Sequence, residues 1–108
     1  KKLGNSGSFF KNPVIDKKTF HHFSVNFPDA PFYEVSLDEF KIPAGWMIEK
    51  AGLKGKRFGD AGVHKNQALV LVNYGNATGS EIWELAARIQ KKVKEKFGIY
   101  IEPEVNVI

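Results

Sequence analysis

The chain has 108 residues, enough for one compact domain and too few for two. It contains no cysteine, which excludes disulfides, thiolate metal sites and cysteine nucleophiles. No apolar run approaches the roughly 20 residues of a membrane helix. The net charge of +4 favours an anionic partner, although many of the lysines fall in residues 91–96 and suit a solvated helix face.

The stretch GSFFKNP, residues 7–13, predicts a strand near residues 8–14. Side chains of an extended segment alternate between faces, so Ser8, Phe10 and Asn12 should point the same way. Two small polar side chains beside a large ring fit either an ordinary surface strand or a binding site.

A first helix is predicted to begin after Asp16, a good N-cap, and to end near Asn26, where a turn containing two prolines follows. Two short strands are expected next, at residues 32–35 and 40–42. The helix should pack through aromatic residues at helical spacing, namely Phe20, Phe23 and Phe27.

A second, short helix is predicted from Pro43 to Gly52, followed by a glycine-rich loop over residues 52–62. The apolar run at residues 68–72 lacks alternation, which is typical of a strand covered on both faces.

The third helix is predicted from a capping box, Thr78-Gly79-Ser80-Glu81, to a stop at Gly98. Residues 99–108 alternate as a last strand. The order β-α-β-β-α-β-α-β predicts an α+β domain with helices packed on one face of a small sheet.

Two carboxylates on the last strand, Glu102 and Glu104, should share a face about 7 Å apart. That spacing resembles the acid/base pair of glycoside hydrolysis, and solvent-facing strand residues are the alternative. A carboxyl enclosed in an apolar site would have a raised pKa and could act as an acid at neutral pH.

Other candidate residues are less specific. Ser8 lacks a neighbouring base and a nucleophile elbow, so it is a structural serine, a proton donor or a ligand for a polar substrate. Lys54, in a loop with two further cations, could hold a phosphate, and a mobile basic loop is the alternative. Tyr33 and Gln67 end predicted strands, where polar side chains reach clefts. No His-x-x-x-His or nucleic-acid motif is present, so we expect no metal and no nucleic-acid partner.

Three stretches together resemble one family: LGNSGSFFKNP (3–13), PAGWMIEKAGLKGKRFGDAGVHKNQALVLVN (43–73) and EKFGIYIEPEVNVI (95–108). They look like the C-terminal domain of UDP-N-acetylenolpyruvoylglucosamine reductase. The resemblance implies a single substrate-binding domain over residues 1–108, with an FAD-binding part upstream in a longer cytoplasmic polypeptide.

In that family NADPH reduces FAD, and a hydride then passes to the enolpyruvyl double bond of the UDP-sugar substrate during peptidoglycan synthesis. The resemblance implies that Ser8 donates the proton and that Glu104 assists it. It further implies that Asn12, Tyr33, Lys54 and Gln67 hold the UDP and diphosphate portion of UDP-N-acetylglucosamine enolpyruvate.

No FAD-binding segment is recognisable within the 108 residues. We therefore expect that these residues alone bind little FAD or NADPH and do not turn over. A non-catalytic module that binds a UDP-sugar or another anion is the alternative function, and a small hydrolase using Glu102 and Glu104 is a third.

Overall fold

The computed structural model describes residues 9–104. These residues form three helices and six short strands, which confirms the predicted α+β class. The helices are α1 (Lys17–Asn26), α2 (Ala44–Lys50) and α3 (Gly79–Phe97). The strands are β1 (Val14–Asp16), β2 (Tyr33–Ser36), β3 (Glu39–Lys41), β4 (Arg57–Phe58), β5 (Ala61–Val63) and β6 (Leu71–Asn73).

The strands form two small antiparallel sheets where the sequence predicted one. The described strands lie in the orders β1-β3-β2 and β4-β5-β6. Both sheets are built from strands of two to four residues, too short to carry the strong periodicity that identifies long strands. The order of elements otherwise follows the prediction closely.

The glycine-rich loop contains a hairpin that the sequence analysis did not predict. Strands β4 and β5 pair from Arg57↔Gly62 to Phe58↔Ala61, and the turn between them includes Gly59 with a φ of +67°. A Cβ at Gly62 would lie 2.9 Å from the carbonyl oxygen of Lys56, so this strand position requires glycine.

The apolar run at residues 68–72 is not a strand covered on both faces. The strand begins only at Leu71, and Val72 and Asn73 are half-buried. The preceding residues turn instead, with the Val70 amide donating to the Gln67 carbonyl at 2.9 Å.

The predicted helix caps are confirmed. Asp16 accepts a hydrogen bond from the Thr19 amide at 2.8 Å at the start of α1. Thr78 and Glu81 form a reciprocal capping box at the start of α3, and Gly98 ends that helix in the left-handed conformation. These local signals fix both ends of the longest helix.

The core lies between α3, α2 and the β4–β5–β6 sheet. The buried stripe of α3 consists of Ile82, Leu85, Ala86, Ile89, Val93 and Phe97, as its periodicity predicted. Met47 and Ile48 of α2 are fully buried beneath it. An aromatic cluster of Phe23, Phe27, Trp46 and Phe97 joins α1 to this core.

The two terminal segments lie side by side and are less regular than predicted. The expected strand at residues 8–14 begins only at Val14, and residues 99–104 pair through the single bridge Phe10↔Pro103. Ile99 and Ile101 are buried, as alternation predicted. Residues 1–8 and 105–108, including Ser8, lie outside the described residues.

Within residues 9–104, no helix is long and apolar enough to cross a membrane. The same residues contain no cluster of three or more histidine or carboxylate side chains that could hold a metal ion.

Candidate functional site

The site is organised around the start of α2. The N-cap position, Pro43, offers no side-chain hydrogen bond. The capping hydrogen bond comes instead from Asn12, which precedes Ala44 by 32 residues: its Oδ1 accepts from the Ala44 amide at 2.8 Å. Asn12 therefore caps α2 and ties the N-terminal segment to this helix.

Lys54 and Gln67, two of the predicted binding residues, line the same cavity. Its volume is about 370 Å³, within the range of small-molecule sites. Gly45 and Glu49 of α2 form one wall, and the loop over residues 66–70 forms the other. The sequence placed Lys54 and Gln67 on separate elements, and the fold brings them together.

Glu49 is a cavity residue that the sequence analysis missed. Its Oε1 lies 3.5 Å from the Lys54 Nζ, and both side chains are partly exposed. A partly exposed ion pair contributes little to stability, so Lys54 is able to exchange this carboxylate for an anionic ligand. The i, i+5 spacing across a helix end gives no recognisable sequence signal for this pair.

His64 shapes the loop that carries Gln67. Its Nδ1 accepts from the amides of Asn66 (2.9 Å) and Gln67 (3.1 Å), so the neutral ring carries its proton on Nε2. The His64 amide in turn donates to the Val70 carbonyl at 2.8 Å. The sequence analysis assigned no role to His64, and no spacing rule identifies such a local turn.

The three cations of the glycine-rich loop, Lys54, Lys56 and Arg57, do not all line the cavity. Arg57 is engaged with its own hairpin, since its Nη2 lies 3.0 Å from the Asp60 carboxylate and its Nε donates to the Gly59 carbonyl. Its guanidinium also stacks 4.0 Å from the centre of the Tyr74 ring. Of the predicted cations, Lys54 is the one that lines the cavity in the described part of the chain.

Backbone hydrogen bonds connect Glu104 to a cavity residue by way of Phe9. The Glu104 amide donates to the Phe9 carbonyl at 2.7 Å, and the Phe9 amide donates to the carbonyl of Leu69, a cavity residue. Phe9 directly follows Ser8 in the chain. The Glu104 side chain itself is exposed in residues 9–104.

Strict alternation fails in the N-terminal segment. Phe9 and Phe10 are both buried, with exposed fractions of 6% and 1%. Phe9 packs edge-on against both Phe10 and Trp83, with ring centres 5.2 Å apart in each pair. Both sides of the segment are therefore packed, so burial does not alternate along it.

Glu102 makes contacts of its own with the N-terminal segment. It pairs with Lys11 at 3.6 Å, and its carbonyl accepts from the Lys11 amide. Both carboxylates are exposed, so neither sits in the closed apolar site that an acid of the hydrolase type would need in this part of the chain.

Tyr33 lies away from this cavity. It begins β2, pairs with Lys41 of β3 and is 60% exposed. It is not among the described residues that line the cavity. Asn12 is not among those residues either, and borders a different, smaller cavity of about 200 Å³ beside Tyr100.

Another cavity, of about 830 Å³, contains none of the predicted site residues. It is an open groove between α1 and the last turns of α3, with phenylalanines at its floor. Lys18, Lys94 and Lys96 line its rim. Neither Glu102 nor Glu104 is among the described residues that line it.

A family profile for the C-terminal domain of UDP-N-acetylenolpyruvoylglucosamine reductase matches residues 1–108. This chain belongs to that family. The suspected resemblance is thereby confirmed over the whole chain.

Curated relatives of the family agree with this assignment. The chain is 68% identical over 108 residues to UDP-N-acetylenolpyruvoylglucosamine reductase of Flavobacterium johnsoniae, covering all of this chain and 32% of the relative. It is 50% identical over 106 residues to the reductase of Bacteroides fragilis, covering 98% of this chain and 32% of the relative. For the reductase of Pseudomonas aeruginosa the identity is 50% over 105 residues, covering 97% and 31%. The chain thus spans about a third of the length of these relatives.

Proposed function

We propose that this chain is the single C-terminal substrate-binding domain of a longer UDP-N-acetylenolpyruvoylglucosamine reductase. The full enzyme would reduce UDP-N-acetylglucosamine enolpyruvate to UDP-N-acetylmuramate in cytoplasmic peptidoglycan synthesis. The family match over residues 1–108 is the observation that carries this proposal. The cavity shared by Lys54 and Gln67 supports it, because a UDP-sugar needs both cationic and amide contacts.

In this proposal Lys54 binds the diphosphate, since an ammonium is a compact point charge suited to a phosphate oxygen. The Gln67 and Asn12 amides add directional hydrogen bonds. Asn12 uses its Oδ1 on α2, which leaves the amide nitrogen as the group to offer a ligand. Tyr33 contributes a hydroxyl from β2 to the same UDP portion.

The proton of the reduction comes from Ser8, assisted by Glu104. Hydride addition to the enolpyruvyl double bond builds negative charge on the substrate carboxylate, and positioned donors stabilise such charge. A hydroxyl held next to the reacting carbon supplies the proton by proximity. The backbone bond from Glu104 to Phe9, the neighbour of Ser8, supports a shared role for the two residues.

The cavity does not fit the flavin itself. Among the described residues that line it there is no aromatic ring to stack on a flavin, and Lys54 is the single cation. The hydride has to come from a group held elsewhere in the longer polypeptide, which we propose is FAD reduced by NADPH. The chain's own residues bind and orient the substrate and deliver the proton.

The test is stopped-flow kinetics of the full-length enzyme, in which flavin reduction by NADPH and flavin reoxidation by the substrate are followed separately. Ser8→Ala should slow reoxidation by at least about a hundredfold, because general acid catalysis contributes that much or more. Flavin reduction should keep its rate.

Ser6→Ala, two residues earlier in the same segment, is the matched control and should leave both rates unchanged. Equal reoxidation rates in the wild type and Ser8→Ala would refute the catalytic proposal. That result would favour a module that binds the UDP-sugar without taking part in its chemistry.

A further inference from the structure

The segment that ends in Glu104 is held from two sides. On one side it pairs with the N-terminal segment, with the Glu102 carbonyl accepting from the Lys11 amide at 2.8 Å and the Glu104 amide donating to the Phe9 carbonyl at 2.7 Å. Backbone groups of an extended chain point alternately to either side. The Ile101 carbonyl therefore faces away from this pairing.

Gln90 of α3 occupies that second side. Its Nε2 donates to the Ile101 carbonyl at 2.9 Å and to the Tyr100 hydroxyl at 3.0 Å. Both hydrogens of one amide nitrogen are thus used on the segment. The side chain is half-buried, and the bond to Ile101 is shielded from solvent, so it is stronger than an exposed contact.

The path from Gln90 to Glu104 is short and stiff. Ile101 is fully buried, which prevents the segment from rotating about the bond that Gln90 makes. Pro103 follows with a fixed φ and bridges to Phe10. A displacement of the Ile101 carbonyl would therefore also shift Glu104.

We infer that Gln90 is a positioning residue that holds Glu104 in register with the N-terminal segment. This inference rests on the proposed function, in which Glu104 assists proton delivery. On the side of the segment that faces away from residues 9–11, the Gln90 amide makes hydrogen bonds of the kind that a neighbouring strand would make. Without its two hydrogen bonds, the segment would be held by the pairing with residues 9–11 and by its buried isoleucines.

The test uses stopped-flow kinetics of the full-length enzyme with a pair of variants at Gln90. Gln90→Met keeps the length of the side chain and removes both donors. Gln90→Lys keeps a donor within reach of the Ile101 carbonyl. We expect Gln90→Met to slow flavin reoxidation by the enolpyruvyl substrate about tenfold, because sub-ångström misplacement of a reacting group has effects of this order.

Three further readouts separate positioning from a general structural effect. Flavin reduction by NADPH and the KM for the substrate should stay within about twofold of wild type, since neither depends on Glu104. Gln90→Lys should recover most of the reoxidation rate. Lys91→Met, the adjacent and exposed position on α3, should behave as wild type.

A double-mutant cycle decides whether Gln90 acts through Glu104. In a Glu104→Gln background, adding Gln90→Met should cause no further slowing of reoxidation, because the residue to be positioned is already lost. Additive slowing in the double variant would overturn the inference, as would a wild-type rate for Gln90→Met. If Glu104→Gln alone keeps the wild-type rate, the role proposed for Glu104 fails instead, and that outcome is distinct.

Discussion

Lys54 lines the cavity, and its Nζ already lies 3.5 Å from Oε1 of Glu49. Any anionic ligand must compete with this carboxylate for the ammonium. Because the pair is partly exposed, its own contribution is small, and a phosphate with more charge should displace it. We therefore propose that Lys54 serves ligand binding more than stability.

Replacement of Lys54 tests this assignment. We expect Lys54→Met to raise the dissociation constant of UDP for the full-length enzyme about tenfold, which corresponds to the loss of one charge-assisted hydrogen bond. Isothermal titration calorimetry measures the effect. Lys56→Met, an exposed lysine in the same loop that does not line the cavity, is the matched control and should bind UDP normally.

The salt dependence gives a second readout for Lys54. UDP affinity of the wild type should fall as the salt concentration rises, and the fall should be shallower for Lys54→Met. The same slope in both proteins would show that Lys54 does not contact the phosphates.

Asn12 has two assignments, a structural one seen in the fold and a ligand contact that we propose. Asn12→Asp separates them. The carboxylate keeps an acceptor for the Ala44 amide and suits the start of a helix, so the free energy of unfolding should be unchanged or higher. It loses the amide donor, so UDP should bind at least about tenfold more weakly through the lost bond and added repulsion.

Asn12→Ala is the comparison that completes this experiment. It removes the cap as well, and should lower the free energy of unfolding by about 1 kcal/mol in chemical denaturation. Unchanged UDP affinity in Asn12→Asp would restrict Asn12 to its role as a cap.

At the scale of single elements, α1 begins with a cap whose strength depends on pH. The hydrogen bond from Thr19 lowers the pKa of Asp16 below its ordinary value of 3.8. A lowered pKa means that the folded state favours the carboxylate. The stability it adds is fully present above pH 3.8 and is lost as the pH falls through the lowered pKa.

Asp16→Ala should therefore destabilise the protein at neutral pH, and the difference from wild type should shrink in acid. Urea denaturation at neutral and acidic pH measures this change. Asp29→Ala, an exposed carboxylate in the turn after α1, serves as the control. A difference that stays constant with pH would show that the Asp16 carboxylate is not the capping group.

The helices of this chain were predicted from the sequence more accurately than the sheets. The ends of α1 and α3 follow from residues within three positions of each end, such as Asp16 with Thr19 and Thr78 with Glu81. The β4–β5 hairpin was missed because its strands, of two and three residues, are too short to show an alternating pattern. The second sheet follows from that hairpin.

At the scale of the whole molecule, the described residues share one core. Helices α1, α2 and α3 are joined by the aromatic cluster around Trp46, and the β4–β5–β6 sheet packs against α3. A chain of this size with such a core should fold by itself. Flavin binding would then depend on the other two thirds of the relatives' length.

The 108-residue chain expressed alone should fold but copurify without flavin and fail to oxidise NADPH. Circular dichroism tests the folding, and visible absorbance tests the flavin content. The full-length enzyme, prepared in parallel, is the control and should be yellow and active. A yellow, NADPH-oxidising preparation of these residues alone would contradict the prediction.

The sequence by itself determined the family, the α+β class, the three helices and the caps of α1 and α3. These features depend on residue identity, on periodicity and on contacts between near neighbours in the chain. The roles of all the candidate residues still rest on the family resemblance. Ser8 lies outside the described residues, and Tyr33 is not among the described residues that line the cavity.

Only the tertiary structure decided how the site is assembled. Asn12 contacts Ala44, which lies 32 residues further along the chain. Phe9 forms backbone hydrogen bonds with both Leu69 and Glu104, and such bonds do not depend on the identity of the side chains. Such contacts between distant backbone groups leave no pattern in a single sequence. They arise from the burial of Phe10 and Ile101, which brings the two terminal segments together over the core.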